Sequence, residues 1–119
     1  MLFRSEETWF YPRNPAGRHT YAARIAPGGA LIALEQRLTE ENMRRIVADR
    51  STAKEVRALF GPPSLVTRLD RQEREVWEYR MFNTVQIPYN LYVQFSGDGI
   101  AREVLFLRDP SQDFPGRRR

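Results

Sequence analysis

The sequence predicts an α+β protein: two short helices packed on an antiparallel sheet, preceded by three further strands. Three observations lead there. Helical spacing of apolar residues is confined to residues 38–61. On either side of that stretch the period falls to two, the signature of half-buried strands. And one aromatic strand is written twice, as Glu7-Thr8-Trp9-Phe10-Tyr11 and again as Glu75-Val76-Trp77-Glu78-Tyr79.

The helical stretch divides in two. Leu38, Met43, Ile46 and Val47 follow helical spacing, Thr39 is placed to cap, and Glu40 and Glu41 fall in the first turn, where the helix dipole favours carboxylates. Asp49, Arg50 and Ser51 interrupt the pattern. Thr52 and Glu55 then form a Thr-x-x-Glu capping box, and Val56, Leu59 and Phe60 give the second helix its apolar side. Gly61, followed by Pro62 and Pro63, stops it.

Strands follow. Residues 64–69, SLVTRL, are expected to be extended, and 73–82 form a strand. Residues 89–96 place Leu91, Val93 and Phe95 on one face, and 100–107 form the last strand. Gly97-Asp98-Gly99 marks the hairpin between them, because a tight turn there needs positive φ. This half reads α-α-β-β-β, and Trp77 and Tyr79 are expected on its core face against Met43, Ile46, Val56 and Leu59.

Residues 6–37 repeat the strands without the helices. Tyr21, Ala23 and Ile25 stand where Leu91, Val93 and Phe95 stand, and Pro27-Gly28-Gly29 takes the place of Gly97-Asp98-Gly99. The expected organisation is therefore 1–37 as the C-terminal three-strand half of a first unit, 38–109 as a complete unit, and 110–119 as a basic disordered tail. Trp9, Tyr11, Tyr21, Ile25 and Ile32 would then lie on an uncovered face. Aromatic side chains bury about 150–250 Å² each at about 25 cal/mol per Å², so leaving five such residues wet forfeits several kcal/mol. Cover is expected from a sheet extended to six strands under one helix pair, from a second copy in a homodimer, or from sequence upstream.

Composition narrows the chemistry. The 119 residues contain no cysteine, which removes disulfides, thiol catalysis and cysteine-ligated metal. The formal charge is +4, with Lys54 the only lysine, but stretches such as RQEREVWEYR interleave both signs and read as solvated surface. Only Gly116–Arg119 is a purely basic run, suited to an anionic lipid or an acidic partner; nucleic acid is not an expected partner. No run approaches 18 apolar residues, and MLFRSEETWF lacks the pattern of a secretory signal.

The motifs in 38–107 resemble a known family. Leu38-Thr39-Glu40-Glu41-Asn42 comes first, then Thr52 with Glu55-Val56-Arg57 and Leu59-Phe60-Gly61 before Pro63. Val76-Trp77 with Tyr79 follows, then Leu91-Tyr92-Val93 with Phe95 and Asp98-Gly99. In this order and spacing they resemble the SmpA/OmlA (BamE-like) outer-membrane lipoproteins. The resemblance implies an α-α-β-β-β fold without a catalytic centre or cofactor. It also implies anchoring on the periplasmic side of the outer membrane, where such proteins bind barrel-assembly subunits and anionic lipid and support envelope integrity. The chain departs from that pattern in lacking a lipidated cysteine and a signal, and in carrying Arg50 where the family usually has glycine. It also begins inside a repeat, as expected of the C-terminal piece of a longer two-repeat lipoprotein. The repeated architecture also resembles β-lactamase inhibitory proteins, which implies an alternative role as a soluble inhibitor of a hydrolase.

No enzyme is expected. His19 is the single histidine, with no second imidazole to share a metal. Glu73, Glu75 and Glu78 lie among Arg71, Arg74 and Arg80, which favours their charged forms over the raised pKa that acid catalysis needs. The glycines at 97 and 99 precede a strand where a phosphate loop would precede a helix. Ser5, Ser51, Ser64, Ser96 and Ser111 have no nucleophile-elbow context. Tyr92 and Gln94, on the face opposite Leu91, Val93 and Phe95, are the candidate partner-binding residues.

Overall fold

Alternation of side chains fixes where the chain pairs. The computed structural model describes residues 6–13 and 17–110. In chain order its elements are β1 (Glu7–Pro12), β2 (Thr20–Ile25), β3 (Leu31–Gln36), α1 (Glu40–Met43), α2 (Ala53–Phe60), β4 (Leu65–Leu69), β5 (Arg74–Phe82), β6 (Pro88–Phe95) and β7 (Ala101–Arg108). The fold is α+β, with two helices and two antiparallel sheets ordered β1-β2-β3 and β4-β5-β6-β7. The sheets do not merge into a six-stranded layer. The tail expected over 110–119 lies, except for Pro110, outside the described residues.

The two sheets share a register. Trp9 pairs with Ala23 and Tyr11 with Tyr21, while Trp77 pairs with Val93 and Tyr79 with Leu91. Both ladders slip at the matching place, between Arg24 and Ile25 and between Gln94 and Phe95. The turns match as well: Gly29 N–H donates to Ala26 O and Gly99 N–H to Ser96 O, each at 2.9 Å, with φ of 100° and 83° at the glycines. Even the indoles agree, Trp9 donating to Glu7 Oε1 at 3.1 Å and Trp77 to Glu75 Oε1 at 2.9 Å.

The helical layer covers the core face of the second sheet and meets the first sheet only where α2 ends. Leu38, Val56 and Phe60 pack on Trp77, Tyr79, Met81, Leu91, Val93 and Phe95, with Met43, Ile46 and Leu59 at the margin. Phe60 and Tyr79 sit 5.1 Å apart and tilted, and Trp77 and Phe95 4.6 Å apart in the edge-on geometry that suits the ring quadrupoles. Tyr79 Oη donates to Gly61 O at 2.8 Å, so its buried hydroxyl is satisfied.

Two expectations need correction. SLVTRL is more than extended: Leu65–Leu69 is a fourth strand on the edge of the second sheet, paired from Leu65↔Glu78 to Leu69↔Arg74. The first helix is shorter than its apolar spacing suggests, a single α-turn that continues in tighter bonds from Arg45 N–H to Asn42 O and from Ile46 N–H to Met43 O. The segment is pulled out of the helix by its far end. Asp49 takes φ 69°, its N–H donates to Ala101 O, and Thr52 bridges Ile100. Tertiary tethering outweighs a weak local preference here. The second helix is as expected, with both hydrogen bonds of the Thr52–Glu55 capping box formed.

A largely polar seam joins the sheets. Arg18, from the β1–β2 connection, donates through Nη1 to Met81 O, Tyr89 O and Asn90 Oδ1 at 3.1–3.2 Å, and through Nη2 to Asp109. Arg37 lies over the Phe10 ring and donates to Ala58 O and Leu59 O, closing the C-terminus of α2. Gly61 completes the contact. A Cβ there would stand 2.8 Å from Phe10 Cδ1, so only glycine lets α2 end against β1.

Candidate functional site

The β-register decides which side chains share a surface. In the first sheet one face carries Trp9 and Tyr11 from β1, Tyr21, Ala23 and Ile25 from β2, and Leu31 and Leu34 from β3, with Ile32, the extra residue at the register slip, two positions from Leu34. Its counterpart in the second sheet is the face buried under α1 and α2. Here nothing of the described chain covers it: Trp9 is 55% exposed, Leu31 61% and Leu34 62%, and Tyr11 and Ile32 are about half exposed. Taking on the order of 200 Å² for each large side chain, these five present roughly 500 Å² of apolar surface. That lies toward the upper end of the largest patch on an ordinary monomer.

Trp9, Tyr11 and Ile32 are therefore uncovered as the sequence suggests. Tyr21 and Ile25 are partly buried instead. Tyr21 is sheltered by His19, whose ring stacks on it at 6.0 Å and leans on Phe82 at 5.5 Å. His19, expected to be an ordinary polar loop residue, is thus a packed part of the seam. Leu34 keeps the period-two parity of Ile32, whereas Leu31 escapes it, because the register slip at Arg24/Ile25 sets Leu31 opposite Ile25.

Tyr92 and Gln94 occupy the outer face of the second sheet, as read from the sequence. Tyr92 pairs with Leu105, which is 48% exposed, and Leu107 lies two pairs further along, opposite Asn90. The Tyr92 hydroxyl accepts from Asn90 Nδ2 at 3.5 Å, and Gln94 Oε1 accepts from Arg74 Nη1 at 3.0 Å. Gln94 is thus held by its own chain, while Tyr92 and the two leucines, with Leu65 opposite Glu78, belong to the apolar part of this face.

Two open clefts flank the helices. One, of about 410 Å³, lies between the sheets and includes His19, Tyr21, Gln36, Glu40, Phe82 and Thr84. Hydrogen bonds from the Thr84 hydroxyl and backbone N–H, at 2.8 and 2.9 Å, hold Glu40 below the usual carboxylate range. The other, of about 470 Å³, is lined by Arg24, Glu35, Arg37, Glu41, Asn42 and Arg45. A hydrogen bond from Arg37 lowers Glu35 in the same way, aided by Arg24. Glu40 and Glu35 are thereby held ionised, the opposite of what a general acid requires. Of the strand carboxylates, Glu75 accepts from Trp77 and Glu78 pairs with Arg80 at 3.3 Å.

Among the described residues no group of three His, Asp or Glu is placed to hold a metal ion, and no helix is long and apolar enough to cross a membrane. The chain matches no protein-family model, no curated protein and no solved structure.

Proposed function

We propose that the chain is a binding and scaffold module of the SmpA/OmlA type, working on the periplasmic side of the outer membrane in support of β-barrel assembly and envelope integrity. One observation carries this reading. Two sheets share a register, yet the helix layer shuts the core face of only one of them, leaving on the other an apolar face of the size that marks a contact surface. On this reading β1–β3 are the last three strands of a unit whose complete form is α1–α2 with β5–β7, and β4 is an added edge. The matching pairs, register slips, glycine turns and indole bonds support the duplication.

The outer face around Tyr92, Leu105 and Leu107 is the proposed contact for other subunits, and the basic sequence Gly116–Arg119 is the proposed contact for anionic lipid. The test is capture from envelope extract with the full chain as bait. Barrel-assembly subunits should be recovered, and Tyr92→Ala with Leu105→Glu should release them. Recovery of none, together with stoichiometric inhibition of a hydrolase by the purified chain, would replace this reading with that of an inhibitor.

A further inference from the structure

We propose that the exposed face of β1–β3 is a self-association surface, occupied by the same face of a second copy of this chain. The inference rests on the binding-module reading and names the occupant of its most apolar surface. In the second sheet the equivalent face is shut by Val56 and Phe60 of α2 and by Leu38. That helix layer is fully engaged and cannot also serve the first sheet. A second copy brings the one further surface that the chain itself guarantees, and it is already the right kind.

Area and composition favour this occupant. A stable interface buries about 800 Å² per partner, and in homodimers about 65% of it is apolar. Roughly 500 Å² from Trp9, Tyr11, Leu31, Ile32 and Leu34 supplies that apolar share, with Tyr21, Ile25 and Gln36 at its border. Symmetry adds a second reason. A two-fold axis lying in the interface sets the patch against itself, so that a single surface satisfies both subunits and the contact closes at two copies. Two such sheets packed face to face stand about 10 Å apart, and a six-stranded sandwich results in which Trp9 and Leu34 are interior.

The experiment is sedimentation velocity of the purified full chain from about 1 to about 300 µM, a span wide enough to populate both states of a micromolar dimer. The expected result is a concentration-dependent doubling of the 14.0 kDa mass, with Trp9 emission shifting to shorter wavelength as the dimer fills. Leu34→Glu should weaken association at least 100-fold with unchanged circular dichroism. Trp9→Gln provides the same reading should the first variant fold poorly. Leu105→Glu, on the outer face of the other sheet, should dimerise as the parent does. A single 14.0 kDa species throughout would overturn the inference, as would loss of the dimer in Leu105→Glu but not in Leu34→Glu. Because no extract is used, a monomeric chain that still captures subunits would sink this inference alone, and a dimer that captures none would sink the scaffold reading alone.

Discussion

Replacing Arg18 with methionine removes the main latch between the sheets. The guanidinium makes three hydrogen bonds to Met81 O, Tyr89 O and Asn90 Oδ1 and one to the Asp109 carboxylate. Both charged side chains are only 11% exposed, and Asn90 and Asp109 are buried. At an effective dielectric near 20, two unit charges in contact attract by about 4 kcal/mol. Removing one partner of such a pair typically costs about 3–5 kcal/mol, because the other charge stays desolvated. Loss of the contact with the Phe82 ring, 5.9 Å from Arg18 Cζ, adds about 0.5–1 kcal/mol. Against a typical total of about 5–15 kcal/mol, a loss near 4 kcal/mol is severe. Urea unfolding at neutral pH measures it, and Asp109→Leu closes the cycle. In the double variant neither charge is left behind, so the two single losses should exceed the double by at least about 2 kcal/mol. An Arg18→Met loss below about 1 kcal/mol, or strict additivity, would refute the latch.

Three further outcomes follow from the same geometry. Burial drives the Tyr79 phenol well above its ordinary pKa of 10.0, so the unfolded chain ionises there first. Stability from this group is complete below pH 10 and falls as pH rises beyond it, by up to about 1.4 kcal/mol per unit, whereas Tyr79→Phe should be about 1 kcal/mol weaker at pH 8 and lack that decline. Gly61→Ala should cost about 2–3 kcal/mol in thermal or urea unfolding, since φ 85° with ψ −162° is a region almost reserved for glycine. Its new methyl group also meets Phe10, so Phe10→Ala should recover only the steric part. Thr52→Ala, by removing the Oγ1 that accepts from Glu55 N–H at 3.1 Å, should lower stability by about 1 kcal/mol, checked by denaturant midpoint at constant slope.

What the sequence reveals depends on whether one surface of an element is buried. β5 and β6 alternate cleanly because the helices cover one face, and their pairing can be read from Trp77, Tyr79, Leu91 and Val93 alone. β4 is open on both faces along most of its length, so LVTRL shows no alternation and its pairing stays hidden. Caps are legible because they act over three residues, as at Thr52. The seam is not: Arg18 and Asp109 are 91 residues apart, and neither has a local pattern to betray it. The exposed face of β1–β3 is half legible. Trp9 and Tyr11 announce it through their likeness to Trp77 and Tyr79, but the slip in β3 conceals Leu31.

The joint between the sheets combines guanidinium–carbonyl bonds with a modest apolar share from Phe10, Tyr21 and Phe82. Parting the two halves would break directional bonds while wetting less hydrocarbon than opening the core under α2, so that step should carry enthalpy with the smaller change in heat capacity. Melting the core beneath α2 should do the reverse. A calorimetric trace able to separate the two events would therefore distinguish hinge from core by curvature alone, before any residue is altered.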